Sequence, residues 1–393
     1  MRQCDVLVVG AGLAGLWTSR LLAQAGLQVI LVDERAAVDR RIRTTGIFVR
    51  RTLEDFSLPS EGFGPEIRRV VLYSPSYRAL ELESPHPEFR VARMGPLLNQ
   101  LLEDARAAGV IWWPRTRCLG MDPAVKGSIA RLGGAHPGLL DARFVVGADG
   151  ACSRVAQWLG LSENSEWIVG VEEVYAGIPL DGPPAFHCVL SPTLAPGYLA
   201  WLVHDGEEMH VGVGGYAAKF DPTAALADFK ARLPVALDWS RGKLRDRRGG
   251  RIPVGGVLPR IATTRGLLVG DAAGAVSPLT AGGIDPCLRL SELAAKVAFE
   301  YLESTDPAAL APYDGGRFRR RFRKRLLLRD LLSFLGHPML LEAACAGLCL
   351  PPFRGVARRI FFGRGSFPDV DRFPTGALTA RPHSTILLPR NSA

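Results

Sequence analysis

The apolar run Asp5-Val-Leu-Val-Val9 opens directly into Gly10-Ala-Gly12-Leu-Ala-Gly15, then into a helical pattern, Leu16, Leu21 and Leu22, that stops at Gly26. This strand, glycine turn and helix constrains the fold more than any other feature. In GxGxxG the first glycine permits a tight turn, the second lets backbone approach a pyrophosphate, and the third lets helix pack on strand. A second strand, Val29 to Val32, follows and ends in Asp33-Glu34. Together they make a βαβ unit of about 30 residues, the size a right-handed crossover needs. The helix N-terminus offers free N–H groups and partial positive charge to phosphates. Asp33 stands where an acid binds ribose hydroxyls, with Glu34 as the fallback. An adenine dinucleotide is expected, NAD or FAD.

The same grammar returns twice. Leu97, Leu101, Leu102 and Ala105 predict a helix over 93–109, followed by a short strand at Val110-Ile111-Trp112. Phe144 to Gly147 reads as a strand ending in the turn Ala148-Asp149-Gly150, and Gly266 to Asp271 repeats the pattern before a long helix from about Ile284 to Leu302. Between about 165 and 255, short alternating runs separated by Pro and Gly predict an antiparallel sheet. After Pro312 the chain reads as helical to about Cys349, and beyond Ser366 as a Pro-, Arg- and Thr-rich arm. The expected class is α/β: a discontinuous Rossmann-type domain (1–60, 90–160 and 255–310), an inserted substrate-binding antiparallel-sheet domain (61–89 and 161–254), and a helical C-terminal region with tail (311–393).

Composition narrows the setting. Of 393 residues 47% are apolar, which excludes whole-chain disorder. No stretch of 18 uncharged apolar residues predicts a spanning helix, and the opening strand leaves no room for a signal peptide. Seven cysteines with no CxxC pair predict a reduced cytoplasmic protein without disulfides or a metal site, with Cys152 a packed thiol. The net charge of +9 is uneven, because seven of the nine residues Arg317 to Arg325 are basic. Such a run reads first as a solvated helical face. Its second reading is peripheral contact with an anionic membrane through 317–350, and no nucleic-acid motif accompanies it.

Two further segments separate FAD from NAD. One holds Asp149-Gly150. The other holds Gly270-Asp271, Pro278 and Gly282-Gly283-Ile284. Asp271 after a strand can accept from a ribityl hydroxyl, and a helix starting at Gly283-Ile284 can aim its N–H groups at the flavin edge that gains negative charge on reduction. With the first glycine turn, these segments resemble the FAD-binding set of the p-hydroxybenzoate hydroxylase fold, nearest its geranylgeranyl reductase and FixC-like branch. GDAAGAVSPLTAGGI resembles that branch's GDAAGxxxPLTGEGI, and the likeness runs over about residues 4–310. The resemblance implies FAD as cofactor and gives Arg43 and Arg93 contacts with its pyrophosphate or ribose. Thr44-Thr45-Gly46 stands where the reductases carry Cys-Gly-Gly, Ala281 replaces the first glycine of GEG, and Gln157 replaces an expected arginine.

The expected activity is that of an FAD-dependent oxidoreductase working on a lipophilic or aromatic small molecule, by reduction or dehydrogenation of a carbon–carbon bond. A monooxygenase or halogenase using NAD(P)H and O₂, and a flavoprotein electron carrier, are the alternatives. NAD(P)H is expected to dock transiently, since no second glycine fingerprint follows residue 155. Acid–base candidates are few. Asp285 follows the flavin-facing turn but equally suits a first-turn helix carboxylate. Tyr198, Trp201, His204 and His210 are expected on the sheet facing the flavin, where ordinary buried roles suit each as well.

Overall fold

Four apolar segments, Arg2–Val9, Val29–Val32, Gly138–Gly147 and Gly266–Leu268, pair in parallel to form the centre of one sheet. Their apolar runs are continuous because helices Leu13–Gln24, Met94–Ala107 and Ile284–Ser304 pack beside them, so Val6, Leu7, Val8, Val145 and Val146 are fully buried. Ile111–Trp113 extends the sheet in parallel beyond Val29–Val32. The hairpin Thr116–Pro123 and Ser128–Gly134, which the sequence pattern did not show, pairs onto the first half of Gly138–Gly147. The computed structural model describes residues 1–179, 182–233, 235, 237–334 and 336–363, so the expected arm beyond Ser366 lies outside the described residues.

The second sheet has seven strands in the order Lys243–Pro253, Trp167–Ala176, Glu208–Gly215, Ala200–His204, Ala185–Val189, Arg69–Tyr73 and Ala79–Glu83. Its pairings are antiparallel except that between Ala185–Val189 and Arg69–Tyr73. Alternation divides the residues between two faces. On one face Leu202, Met209, Val211 and Val213 pack against Leu226 and Phe229 of helix Pro222–Arg232. Glu173 on that side is held by Lys230 at 2.6 Å and Arg247 at 2.8 Å. The opposite face carries Trp201, Gly212, Glu172 and Arg248, which stand in one cross-strand row. That face meets the first unit, where Tyr198 donates to the Thr280 carbonyl at 2.8 Å.

Helices Gly315–Arg321 and Arg323–Phe334 contain the basic run, and the reading as a solvated face holds for four of its seven cations. Phe318 and Phe322 anchor the segment in the main core. Arg319 turns inward to the Gly255 carbonyl (2.6 Å), Arg325 to the Ser277 hydroxyl (2.6 Å), and the buried Arg329 to the Pro278 carbonyl (2.7 Å). Only Arg317, Arg320, Arg323 and Lys324 of this stretch stay exposed as cations. Helical structure also continues past Cys349, through Pro338–Cys349 and Pro351–Phe362. The Glu342 carboxylate accepts from the Ser76 N–H (3.0 Å) and from the hydroxyls of Ser74 (3.0 Å) and Ser76 (2.6 Å), docking this pair on the second sheet. Leu348, Ala357, Phe361 and Phe362 then join Leu72, Cys188 and Val203 in one apolar cluster.

Candidate functional site

Strands Arg2–Val9, Gly138–Gly147 and Gly266–Leu268 end side by side, and each passes the chain into a turn. The register is fixed by Gly10 donating to Val32 O (2.8 Å), Ala148 to Val9 O (2.8 Å) and Val269 to Gly147 O (2.9 Å). Ligands of open α/β sheets bind beyond such carboxyl ends. Gly10 adopts φ +105°, and a side chain there would overlap the Ala148 carbonyl. A Cβ at Gly15 would overlap the Gly10 carbonyl, so those two glycines serve packing. Gly12 differs: a Cβ there meets no protein atom within 4 Å. Its open side, at the N-terminus of Leu13–Gln24, is the space a pyrophosphate requires.

Asp33 closes the turn by accepting from the Ala11 N–H at 2.8 Å, while Arg35 donates to it through its backbone N–H (2.8 Å) and guanidinium (2.8 and 2.9 Å). Burial alone would raise this carboxyl, but the Arg35 guanidinium and the Ala11 N–H outweigh it and hold the group below the usual carboxylate range. Glu34 points away, to Arg117 at 2.6 Å and Arg41 at 3.5 Å. Asp33, the first choice, is therefore the acid beside the glycine turn.

Asp149 and Gly150 form the second turn, with Gly150 at φ +84°. Asp149 accepts from the Ser153 hydroxyl (2.6 Å) and from the N–H groups of Arg154 (2.7 Å) and Val155 (3.2 Å). It thereby caps helix Arg154–Leu159 and shapes the turn. Asp271 in the third turn has no such partner: among the described residues nothing hydrogen-bonds its carboxylate. Burial pushes it up to about 6, against the opposing charge of Arg43. Gly270 at φ +58° lets Ala14 of the first helix approach, and Gly283, the N-cap of Ile284–Ser304, lies against Asp271. The loop between them carries Pro278 and Gly282, and Ala281 there holds φ +50°, a conformation that explains why glycine is the residue of the resembling motif.

An orphaned carboxylate beside a cation, a turn with an open glycine and two helix N-termini fit FAD. Gly12, Asp33, Asp271 and Gly283 to Ile284 would hold it. A pH effect follows. A ribityl hydroxyl and a proton compete for the same Asp271 oxygen, so a hydroxyl donor lowers the carboxyl from about 6. FAD affinity is expected to be flat above about pH 6 and to weaken below it, by at most about tenfold per pH unit. Fluorescence titration of apoprotein checks this. Asp271→Asn should bind more weakly, by about 1–3 kcal/mol, and lose the pH slope; an unchanged slope contradicts the assignment.

The catalytic candidates are distributed differently from expectation. Asp285 is locked to Arg289 by two contacts of 3.1 Å and to the Thr52 hydroxyl at 3.0 Å, while Arg289 also reaches Asp55 at 2.7 Å. It is the first-turn helix carboxylate, engaged in a buried ion pair. His204 falls on the sheet face opposite Trp201, because three positions separate them in a period-two strand; it accepts from the Gly206 N–H at 2.9 Å in the turn. Arg93 pairs with Glu207 at 2.6 Å, whereas Arg43 lies beside Gly250 and Asp271. Cys152 is exposed, with Arg251 at 3.7 Å, and not packed; none of the seven cysteines is bridged.

Tyr198 and Trp201 do lie on the cleft face. Their rings cover Gly214 and Gly212, where any side chain would overlap them. Trp201 Nε1 donates to Glu172 at 3.1 Å. The cross-strand row runs Leu72, Cys188, Trp201, Gly212, Glu172, Arg248. Its apolar end lies under the C-terminal helices, and its polar end meets Thr44-Thr45-Gly46: Arg248 donates to the Thr44 carbonyl at 3.0 Å, and the Thr45 hydroxyl donates to Glu172. Sequence reasoning missed Glu172 and Arg248. The available signal was an acid at an inward position between Gly170 and Val174, in register with an arginine on the next strand.

The FAD binding domain family matches residues 3–326. A digeranylgeranylglycerophospholipid reductase of Methanospirillum hungatei is 30% identical over 331 residues, 80% of each chain. A geranylgeranyl bacteriochlorophyll reductase-like protein from Thermoplasma acidophilum superposes with a TM-score of 0.81 at 22% identity, covering 93% of this chain and 98% of its own. The p-nitrophenol 4-monooxygenase of Pseudomonas putida superposes at 0.67 with 18% identity, covering 93% and 95%. The two structures share the fold, with the reductase-like protein the better superposed.

Proposed function

Because the chain belongs to the FAD binding domain family of flavin-dependent oxidoreductases, alongside digeranylgeranylglycerophospholipid reductases, we propose that it saturates carbon–carbon double bonds in a long isoprenoid lipid. The row from Leu72 to Arg248 carries this reading. It sets apolar residues beneath the C-terminal helices at one end and a charged, hydrogen-bonded group at the other. When bound and reduced, FAD supplies a hydride at N5. The chain's own residues bind and orient. Gly12 and the first helix would receive the pyrophosphate, Asp33 the ribose and Asp271 the ribityl chain, with Arg43 adding charge at the mouth. Trp201 and Tyr198 would shield the reacting carbons from water, and Arg325 and Arg329 brace the Ser277–Thr280 loop. NAD(P)H docking transiently is the proposed source of electrons.

The test is product analysis. Holoenzyme reduced without oxygen and given an unsaturated geranylgeranyl glycerophospholipid is expected to add two hydrogens per double bond by mass spectrometry. Recovery of unchanged lipid, or of product carrying oxygen only when O₂ is present, contradicts the reductase reading.

A lipid substrate calls for a way to reach a membrane. Among the described residues no single helix is long and apolar enough to cross one. Arg323, Lys324, Leu327, Leu328 and Leu331 share one exposed helical face, and Met339, Leu340, Phe353 and Val356 are exposed on the next two helices. Four exposed cations at about 1 kcal/mol each near an anionic bilayer suffice for weak reversible attachment. The protein is expected to sediment with anionic liposomes at low salt and to be released at high salt, with Leu327→Asp/Leu331→Asp binding less. Failure to bind at low salt, or binding unaffected by salt, contradicts electrostatic docking.

A further inference from the structure

A chain of buried titratable groups crosses the end of the inserted sheet, and nothing in the cofactor site uses it. It begins at the hairpin after Ala200–His204, where oxygens of Asp205 and Glu208 and a ring nitrogen of His210 lie within 4.8 Å of one another, with Glu208 the half-exposed member. Asp205 Oδ2 meets His210 Nε2 at 3.0 Å; its other oxygen accepts from the N–H groups of Glu207 (2.9 Å) and Glu208 (2.7 Å). His210 Nδ1 meets Glu172 Oε1 at 3.2 Å. The second Glu172 oxygen accepts from Trp201 at 3.1 Å and from the hydroxyl of Thr45, which is half-exposed.

We infer that His210, Glu172 and Thr45 form a proton path into the cleft, charged by the Asp205 carboxylate and ending at the Thr45 hydroxyl, which protonates the substrate carbon. The inference rests on the double-bond reduction proposed above. His210 Nδ1 first gives its proton to the Glu172 carboxylate. The carboxyl so formed turns its O–H to Thr45 Oγ1, and Thr45 passes its own hydroxyl proton to the substrate carbon, with Glu172 ionised again. His210 is left as the Nε2–H tautomer facing Asp205. Its bare Nδ1 takes the next proton back through Thr45 and Glu172 once product has left the cleft to water. The hydride for the other carbon is supplied by reduced FAD, so proton and hydride together saturate one double bond and leave oxidised cofactor.

The electrostatics keep the path loaded. The groups facing His210 are Asp205 and Glu208 from the hairpin and Glu172 from the neighbouring strand. Arg248, itself paired with Asp246 at 2.9 Å, lies beyond Glu172, and His204 stands near the hairpin. Burial would lower His210, but the Asp205 and Glu172 carboxylates outweigh it and raise the imidazole to about 9. The His210 imidazolium, the Arg248 guanidinium and the Thr45 hydroxyl hold Glu172 below its usual range in spite of its burial. The imidazolium is therefore the resting form at neutral pH. Replacing either carboxylate should let it deprotonate at lower pH.

The test uses anaerobic single-turnover reoxidation of reduced holoenzyme by an unsaturated geranylgeranyl glycerophospholipid in H₂O and D₂O. Thr45→Val is expected to slow the lipid-dependent step about a hundredfold and to lose the single-faced incorporation of deuterium, with flavin content and melting temperature unchanged. Thr45→Ser should restore both rate and stereochemistry. Independently of turnover, NMR titration should find His210 protonated to about pH 9 in the wild type and at least one pH unit lower in Glu172→Gln. A Thr45→Val enzyme with wild-type rate and deuterium placement overturns the path. So does a His210 that titrates like an exposed histidine. A wild type that never reduces the lipid defeats the proposed reaction instead, and the His210 titration still decides whether the charged chain exists.

Discussion

Gly12→Val is expected to yield a folded, colourless protein. A Cβ at Gly12 meets no protein atom within 4 Å, so the chain itself leaves room for a side chain to begin there. The valine carbons fill the place where the pyrophosphate must meet backbone N–H groups, and cofactor retention is lost. Gly15→Val is the contrasting variant. A Cβ there overlaps the Gly10 carbonyl, and the first helix cannot seat on its strand. That protein should fail to fold, whereas Gly12→Val keeps its melting transition. The check is the absorbance of purified proteins beside their thermal unfolding. Gly12→Val retaining full flavin would contradict the seating of FAD at this turn.

The second large effect is expected at Arg289. Its guanidinium is 2% exposed and spans Asp285, 4% exposed, and Asp55. The Phe56 ring lies 5.3 Å away. Removing one partner of a buried pair leaves an uncompensated charge, at about 3–5 kcal/mol. Arg289→Met should lose stability on that scale in denaturant unfolding, because it strands the Asp285 carboxylate at the start of the helix that lies against Asp271. The double variant Arg289→Met/Asp285→Leu should recover much of the loss. A single variant within about 1 kcal/mol of wild type would contradict the pair's place in holding that helix.

These two sites differ in how legible they were from the residues. Gly10, Gly12, Gly15 and Asp33 could be read directly because each answers a local demand: a positive φ, an open face, a close packing, an acid at a strand end. The third turn was legible for the same reason, and Asp271 sits there unpartnered. Asp149 was placed in the right turn, but whether a carboxylate faces a ligand or caps the next helix depends on where Ser153 and two N–H groups lie. The basic run was legible only in part, because charge density says nothing about direction. Phe318 and Phe322, one helical turn apart, go to the core, and the backbone they anchor carries Arg319 and Arg325 inward with them. Glu172, His210, Arg248 and Thr45 come from four separate segments, and only strand register brings them together.

The proposed reaction requires FAD and an unsaturated lipid chain to meet between the three turns and the Trp201 face of the inserted sheet. Anaerobic stopped-flow reoxidation of the reduced holoenzyme tests this most directly, comparing an unsaturated geranylgeranyl glycerophospholipid with its fully saturated counterpart. The unsaturated lipid is expected to restore oxidised flavin absorbance without oxygen, while the saturated lipid leaves the flavin reduced. Reoxidation only after O₂ is admitted, with either lipid, would contradict that meeting.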